Sequence, residues 1–414
     1  MIEYFSEKTD FYKHHKPSEL LSAYGSPLYV YNEDILRERA RQIKNFVNMP
    51  NFTVSYSVKA NCNLHILKIL KEEGLHADAM SEGEIFVTEQ AGYEKDRIFF
   101  VCNNVSAREM KYAVDRGIMV SVDSLSQLEL YGRNFPKTKV AVRINPGIGA
   151  GHHKKVVTAG EATKFGINID KAMDVIRIAK KYNLKIAGLN QHIGSFIMTC
   201  TEYIKGVKEL LHLSLLFEDL EFLDFGGGFG IPYNKQQGQQ PLDLEKFGKE
   251  LKDVLTAWQE EHNKNILFKC EPGRFVVAES SILLGKVYAK KHNYNKIYIG
   301  TDIGFSVLIR HAMYGAHHDI EIYRDDKPVK NGAYEYVNIA GNICESGDIL
   351  AEERQLPVIL EDDIIGVMDA GAYGYSMSSN YNNRLRPAEV LIKSDGGLQI
   401  IRKRETLEDL IKGF

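Results

Sequence analysis

The chain has 414 residues, more than one hydrophobic core usually serves, which excludes a single small module. Hydrophobic residues make up 44% and charged residues 26%, so the chain folds; 52 Lys and Arg against 55 Asp and Glu leave a net charge of −3, with no basic run suited to a nucleic-acid backbone. With no signal pattern and no apolar run of about eighteen residues a cytoplasmic protein is expected, and the scattered Cys62, Cys102, Cys200, Cys270 and Cys344, without a C-x-x-C pair, read as free thiols.

In chain order, Ser26 to Asn32 reads as a strand and Glu33 to Val47 as an amphipathic helix with Ile35, Ala40, Ile43 and Phe46 on one face. Eight short, mainly apolar runs follow: Phe52 to Val58, His76 to Met80, Arg97 to Val101, Ile118 to Val122, Lys139 to Ile144, Lys185 to Gln191, Glu221 to Phe225 and Ile266 to Cys270. Such runs suit strands buried on both faces. Helical stretches separate them, two with capping-box signals at Ser81 to Glu84 and Ser106 to Glu109. The alternation argues for a parallel (β/α)8 TIM-type barrel, with an open doubly wound sheet left standing by periodicity alone.

Beyond Ala278 the long helices stop. Runs at Tyr298 to Gly300, Tyr336 to Ile339, Ile364 to Asp369 and Glu389 to Ile392, with turns at Asp325-Asp326, Asn331-Gly332 and Asp395-Gly396-Gly397, predict a C-terminal all-β domain. The Ser26 to Asn32 strand is assigned to it, so the expected division is 34–280 for the barrel and 1–33 plus 281–414 for the β domain.

In such a barrel chemistry gathers at the carboxyl ends of the strands. The first ends in Lys59, the second carries Asp78, the fourth Asp123, the fifth Arg143, the sixth His192 near Ser195. Taken singly these are a solvated strand terminus, structural ion pairs and a core histidine. The seventh runs into Gly226-Gly227-Gly228, whose amides can approach an anion, and the eighth into Glu271-Pro272-Gly273-Arg274, with Pro272 suited to a first helical position. Together, an amine for an aldehyde, amides for a phosphate, a flat ring and a carboxylate for a pyridine nitrogen specify pyridoxal phosphate better than any other cofactor.

From Ser26 to about Ile392 the chain resembles the fold-type III pyridoxal phosphate decarboxylases, and within them the diaminopimelate decarboxylase family. The motifs are Tyr56-Ser57-Val58-Lys59-Ala60-Asn61, His192-Ile193-Gly194-Ser195, Gly226-Gly227-Gly228-Phe229-Gly230, Glu271-Pro272-Gly273-Arg274, Cys344-Glu345-Ser346-Gly347-Asp348 and Gly371-Ala372-Tyr373-Gly374. The resemblance implies an alanine racemase-like barrel with a β-sandwich or Greek-key domain, and decarboxylation of meso-2,6-diaminopimelate to L-lysine. It implies that Lys59 holds the cofactor, with Asp78 and Arg143 in support. His192 would stack on the ring, and Glu271 would pair with the pyridine nitrogen, where related racemases place arginine. Ser195, Gly226, Gly227, Gly228, Gly273, Arg274 and Tyr373 would surround the phosphate end.

It further implies that Cys344, supplied by the neighbouring subunit of a homodimer, returns a proton to the α-carbon, and that Arg274, Arg310, Tyr314, Glu345 and Tyr373 bind the substrate. Asn190, Phe196-Ile197-Met198 and His311 depart from the family pattern. The same chemistry on another or a carrier-tethered amino acid, a racemase and a non-catalytic homologue are the other readings. The pairs His152-His153 and His317-His318 lack the i, i+4 spacing of a helical metal site, so no metal is expected. The segment Gly149 to Gly166 is expected to be the loop after the fifth strand, over the barrel mouth.

Overall fold

The computed structural model describes residues 4–147, 150–151 and 163–414. The eight runs form parallel strands at Phe52–Ser57, His76–Ala79, Ile98–Val101, Met119–Val122, Lys139–Asn145, Lys185–Asn190, Phe222–Asp224 and Leu267–Cys270. Each pairs with the next, and the eighth pairs with the first through Phe268↔Phe52 and Cys270↔Val54. That last pairing closes the barrel and removes the open-sheet alternative.

Sequence explains the local choices. Ile98–Val101 is buried throughout, as a strand covered on both faces must be. Ser106 and Glu109 form a reciprocal capping box, whereas at the preceding helix Ser81 caps the Glu84 amide and Glu84 Oε2 accepts from Met80 N, one residue earlier than the box requires. Beneath the seventh-strand glycines, Phe229 packs with Phe46, Tyr203 and Phe247 at centroid separations of 5.3–5.5 Å, and Tyr203 donates its hydroxyl to Gly226 O at 3.0 Å. This aromatic cluster anchors the loop from below.

The chain forms two compact units. One comprises Arg39–Ile231 and Pro241–Val276 and contains the barrel; the other runs to Glu38, returns for Pro232–Gln240 and continues over Val277–Phe414. In the second, Leu28–Asn32 lies between Ser281–Leu284, antiparallel, and Ala388–Ile392, parallel, within one connected ten-stranded sheet. Sequence reading passed over its longest strand, Ser281–Asn293. The reason is physical: its first five residues are buried in the sheet, while its charged second half is largely exposed and pairs with Lys296–Thr301, so no single hydrophobic pattern spans it. Asp325 and Asp326 both have positive φ, the two-residue hairpin turn expected of them.

Among the described residues no helix is long and apolar enough to cross a membrane, and no group of three or more His, Cys, Asp or Glu is arranged to hold a metal. His152-His153 and most of the Gly149 to Gly166 segment lie outside the described residues.

Gly248, inside helix Leu244–His262, shows how closely the barrel unit packs: a Cβ there would lie 1.7 Å from the Phe46 carbonyl oxygen. In an exposed helix Gly→Ala stabilises by roughly 0.5–1 kcal/mol. Here Gly248→Ala is expected to destabilise by about 1–3 kcal/mol through overpacking. A lowered urea midpoint checks this; a raised one would show that the two backbones do not touch.

Candidate active site

Strand one ends at Ser57 and a single 3-10 turn, Val58–Ala60, carries Lys59 off its carboxyl end. Ser57 ties three strand ends together: its N–H donates to Pro272 O at 3.1 Å, and its hydroxyl lies 3.0 Å from both Asp78 Oδ2 and Glu271 O. Asp78, Arg143 and Glu271 are all buried, and with Lys59 they form one charge cluster inside the barrel. The sequence-predicted cofactor residues of strands one, two, five and eight are therefore brought together.

Burial dominates that cluster. It pushes the Glu271 carboxyl well above the usual carboxylate range, and Asp224 and Asp78 push it further, against the lowering effect of Lys59 and Arg143. Asp78 is raised by burial too, with Lys59, Ser57 and Arg143 opposing. Burial thus favours the protonated form of Glu271, whose carboxyl shares a hydrogen bond with that of Asp224, while its Oε1 meets no donor among the described residues.

Asp224, which sequence reading missed, is fully buried at the end of strand seven, and burial raises its carboxyl to about 6. Its Oδ1 accepts from the Gly226 amide at 2.9 Å. An acidic residue closing a strand two positions before a glycine run was the available signal.

The glycine loop is narrower as an anion cradle than expected. The Gly226 amide is used by Asp224, and the Gly227 amide donates to His192 Nδ1 at 3.1 Å. Both amides are thus engaged within the barrel; of the three, the Gly228 amide is the one that the described residues of the barrel do not already engage. The glycines are required by close approach: a Cβ on Gly227 would lie 1.9 Å from Glu271 O, and one on Gly226 2.3 Å from Gln191 O. Since His192 Nδ1 accepts, the imidazole is neutral, and burial, then Lys59 and Arg143, hold its pKa well below the usual histidine value.

Ser195 Oγ and Arg274 Nη2 stand 3.1 Å apart, placing a hydroxyl and a guanidinium side by side. The helix after strand eight starts at Arg274 and has four residues, so Pro272 is not its first position; its carbonyl is drawn to Ser57 N instead. Asp123 and Arg143 interact, and Arg143 lies 4.5 Å over the Phe165 ring. The unusual Asn190 is buried in the barrel wall and accepts from Ser121.

In the second unit, Arg310 and Tyr314 open and close the helix Arg310–Tyr314, and His311 Nδ1 lies 3.2 Å from Ala316 O. Cys344 and Glu345 are exposed on a turn before strand Ile349–Pro357. Buried Asp348 staples that turn, accepting from Ile343 N at 3.0 Å and Phe305 N at 2.6 Å, while Cys344 N donates to Asn382 Oδ1 at 2.6 Å. Tyr373 has φ 57°, the left-handed region, in the turn that follows strand Ile364–Val367.

Pyridoxal phosphate fits the barrel cluster on the structure's own terms: a buried Glu271 Oε1 that meets no donor among the described residues, for a ring nitrogen, a neutral flat His192, an amine at Lys59 and a hydroxyl, guanidinium and amide for a phosphate. The model of the family described as pyridoxal-dependent decarboxylase, pyridoxal binding domain, matches residues 33–278. The diaminopimelate decarboxylase of Methanothermobacter thermautotrophicus is 40% identical over 404 residues, which span 95% of this chain and 93% of that protein.

The chain belongs to the diaminopimelate decarboxylase family. It is accordingly a pyridoxal phosphate-dependent carboxy-lyase. The crystal structure of the family member from Helicobacter pylori, complexed with L-lysine, matches with a TM-score of 0.87 at 30% identity, over 95% of this chain and 98% of that one. That from M. jannaschii, also with L-lysine, gives 0.85 at 32% identity, over 96% and 94%.

Asp224 supplies a pH test. The folded barrel keeps the proton up to about pH 6, whereas an ordinary Asp loses it near 3.8, so stability from this group is present below about pH 4 and lost as pH rises through 6. Asp224→Asn keeps an acceptor for Gly226 and cannot ionise. Measured by urea unfolding of the cofactor-free protein, it should gain about 1–3 kcal/mol on the parent between pH 5 and pH 8. An equal difference at both pH values would remove the assignment.

Proposed function

We propose that this protein removes one carboxyl group of meso-2,6-diaminopimelate, releasing carbon dioxide and L-lysine, as a cytoplasmic homodimer that binds pyridoxal phosphate in residues 34–280. The observation that carries the reading is Glu271, a buried carboxyl whose Oε1 meets no donor among the described residues, in the same charge cluster as Lys59. When bound, pyridoxal phosphate supplies an aldehyde for amines and a protonated ring that takes up the electron pair left by carbon dioxide.

The chain's own residues do the rest. Glu271 keeps a proton at the ring nitrogen, which favours loss of carbon dioxide over the racemase outcome. Lys59 Nζ would hold the cofactor, with Asp78 and Arg143 in its charge cluster, and the neutral ring of His192 would face the cofactor's ring. Ser195, the Gly228 amide, Gly273, Arg274 and Tyr373 take the phosphate end.

Cys344 Sγ, from the neighbouring subunit, returns the proton to the α-carbon, a thiol being a donor that its thiolate form can take up again from solvent. A substrate with a second amino-acid head needs a cation for its far carboxylate and an anion for its far ammonium. Arg310 with Tyr314 and Arg274 take the former, Glu345 the latter, with Tyr373 alongside. The lysine complexes of two relatives support this choice of product.

Carbon dioxide release with product identification, from meso-diaminopimelate beside lysine, ornithine and arginine, tests the reading: release from diaminopimelate alone, with L-lysine formed, is expected. Lys59→Ala should lose the near-visible absorbance of lysine-bound pyridoxal, and a variant that keeps it would mean another lysine carries the cofactor.

Subunit mixing tests the shared site. Lys59→Ala and Cys344→Ala are each expected to be nearly inactive, and mixing them under subunit exchange should restore about a quarter of the parent rate by random assortment. No recovery, with exchange shown by mass, would place Cys344 and Lys59 of one chain in the same site.

A further inference from the structure

Arg310 is 3% exposed, and its guanidinium is held by two neighbours within its own unit. Its Cζ lies 4.4 Å from the centroid of the Tyr233 ring, and its Nη1 lies 2.6 Å from His318 Nε2. A guanidinium donates and never accepts, so Nε2 of His318 must be the unprotonated nitrogen. The other ring nitrogen, Nδ1, lies 2.7 Å from Met368 O, a carbonyl that accepts and never donates. The two contacts together select one state of His318, the neutral imidazole with its proton on Nδ1.

Tyr233 is set against the same pair, its ring 5.1 Å from the His318 ring and nearly perpendicular to it at 74°. It comes from Pro232–Gln240, the stretch that leaves the barrel unit shortly after the glycine loop. That stretch is fastened beside it. Lys235 Nζ pairs with Asp369 at 2.6 Å and Glu279 at 3.2 Å, Gln236 N donates to Asp319 Oδ2 at 3.0 Å, and Gln236 Nε2 donates to Ile320 O at 3.0 Å. A neutral acceptor and a ring face orient a guanidinium without themselves adding a negative charge to it. Orienting it in advance also removes the ordering cost from the binding step.

We infer that His318 and Tyr233 are positioning residues for Arg310, and that through it they set the preference for substrates bearing a second carboxylate. The inference rests on the proposed role of Arg310 at the distal carboxylate. The sequence motifs point to neither residue: His318 stands out only as half of a histidine pair without metal-site spacing, and Tyr233 lies beyond the glycine motif.

The test compares two inhibitors of the holoenzyme turning over meso-diaminopimelate: 2-aminopimelate, which keeps the far carboxylate, and 2-aminoheptanoate, which has a methyl group there. The ratio of their inhibition constants reports recognition of the far carboxylate. In the parent and in His318→Gln, whose amide oxygen can replace Nε2 as acceptor, the ratio should favour 2-aminopimelate. In His318→Leu and Tyr233→Leu it should fall ~10-fold or more, with the loss for diaminopimelate appearing in KM rather than kcat.

Arg310→Met separates the inference from its premise. If Arg310→Met abolishes the preference while His318→Leu and Tyr233→Leu preserve it, the inference is overturned and the role of Arg310 stands. If Arg310→Met itself preserves the preference, the proposed role of Arg310 fails and the inference falls with it. If the Leu variants weaken both inhibitors alike and His318→Gln does not rescue, the two residues support the fold alone, which also overturns it. Should His318→Leu not fold, Tyr233→Leu, which leaves the His318 hydrogen bonds in place, decides the question by the same ratio.

Discussion

Putting charge inside a closed barrel is the constraint on which the rest of this structure depends. Asp78, Asp224 and Glu271 share an interior with Lys59 and Arg143, shielded from water by the strands that carry them. Charge cannot be accumulated there freely, so burial pushes all three carboxyls toward their protonated forms, and Glu271 is the one the proposed chemistry uses. A solvated glutamate could not hold a proton at neutral pH. The closed sheet is therefore part of the acid–base apparatus as well as its scaffold.

The packing around the cluster follows from the same demand. Buried polar groups must be paired, and the strand ends pair with one another: Ser57 with Asp78 and Glu271, Asp224 with Gly226, Gly227 with His192. The Ser57 and Gly227 bonds join neighbouring strand ends and the Asp224 bond fixes the turn of its own strand, so the barrel is stitched at its mouth by residues that would meet the cofactor. The glycines are necessary because these backbones approach more closely than a Cβ permits. The β unit meets the same problem with separate clamps, Asp348 under the Cys344 turn and His318 with Tyr233 beside Arg310.

Much of this is legible in the residues alone. Strands buried on both faces have to be apolar and short, and helices between them have to announce their starts, so the eight runs can be counted along the chain. Lys59, Asp78, Arg143, His192 and Glu271 stand out because a polar residue ending an apolar run has few reasons to be there. Strand Ser281–Asn293 escapes because it is half core and half surface, and the departure of Pro232–Gln240 from the barrel unit escapes because its glutamines and glycine between Pro232 and Pro241 read as an ordinary polar loop. Asp224 escapes because, in sequence, an aspartate before a glycine loop looks like a turn residue.

Local periodicity and motifs a few residues long fix the kind of molecule and the chemical kit: a β/α barrel, a β-rich continuation and the residue types suited to pyridoxal phosphate. The state of that kit is set by the folded arrangement. Which glycine amides are already spent, which carboxyl keeps its proton, and which tautomer of His318 faces Arg310 all depend on distances between groups brought together by closure of the sheet and by side-chain packing. Burial and hydrogen-bond partnership are properties of that closed arrangement, and no pattern along the chain encodes them.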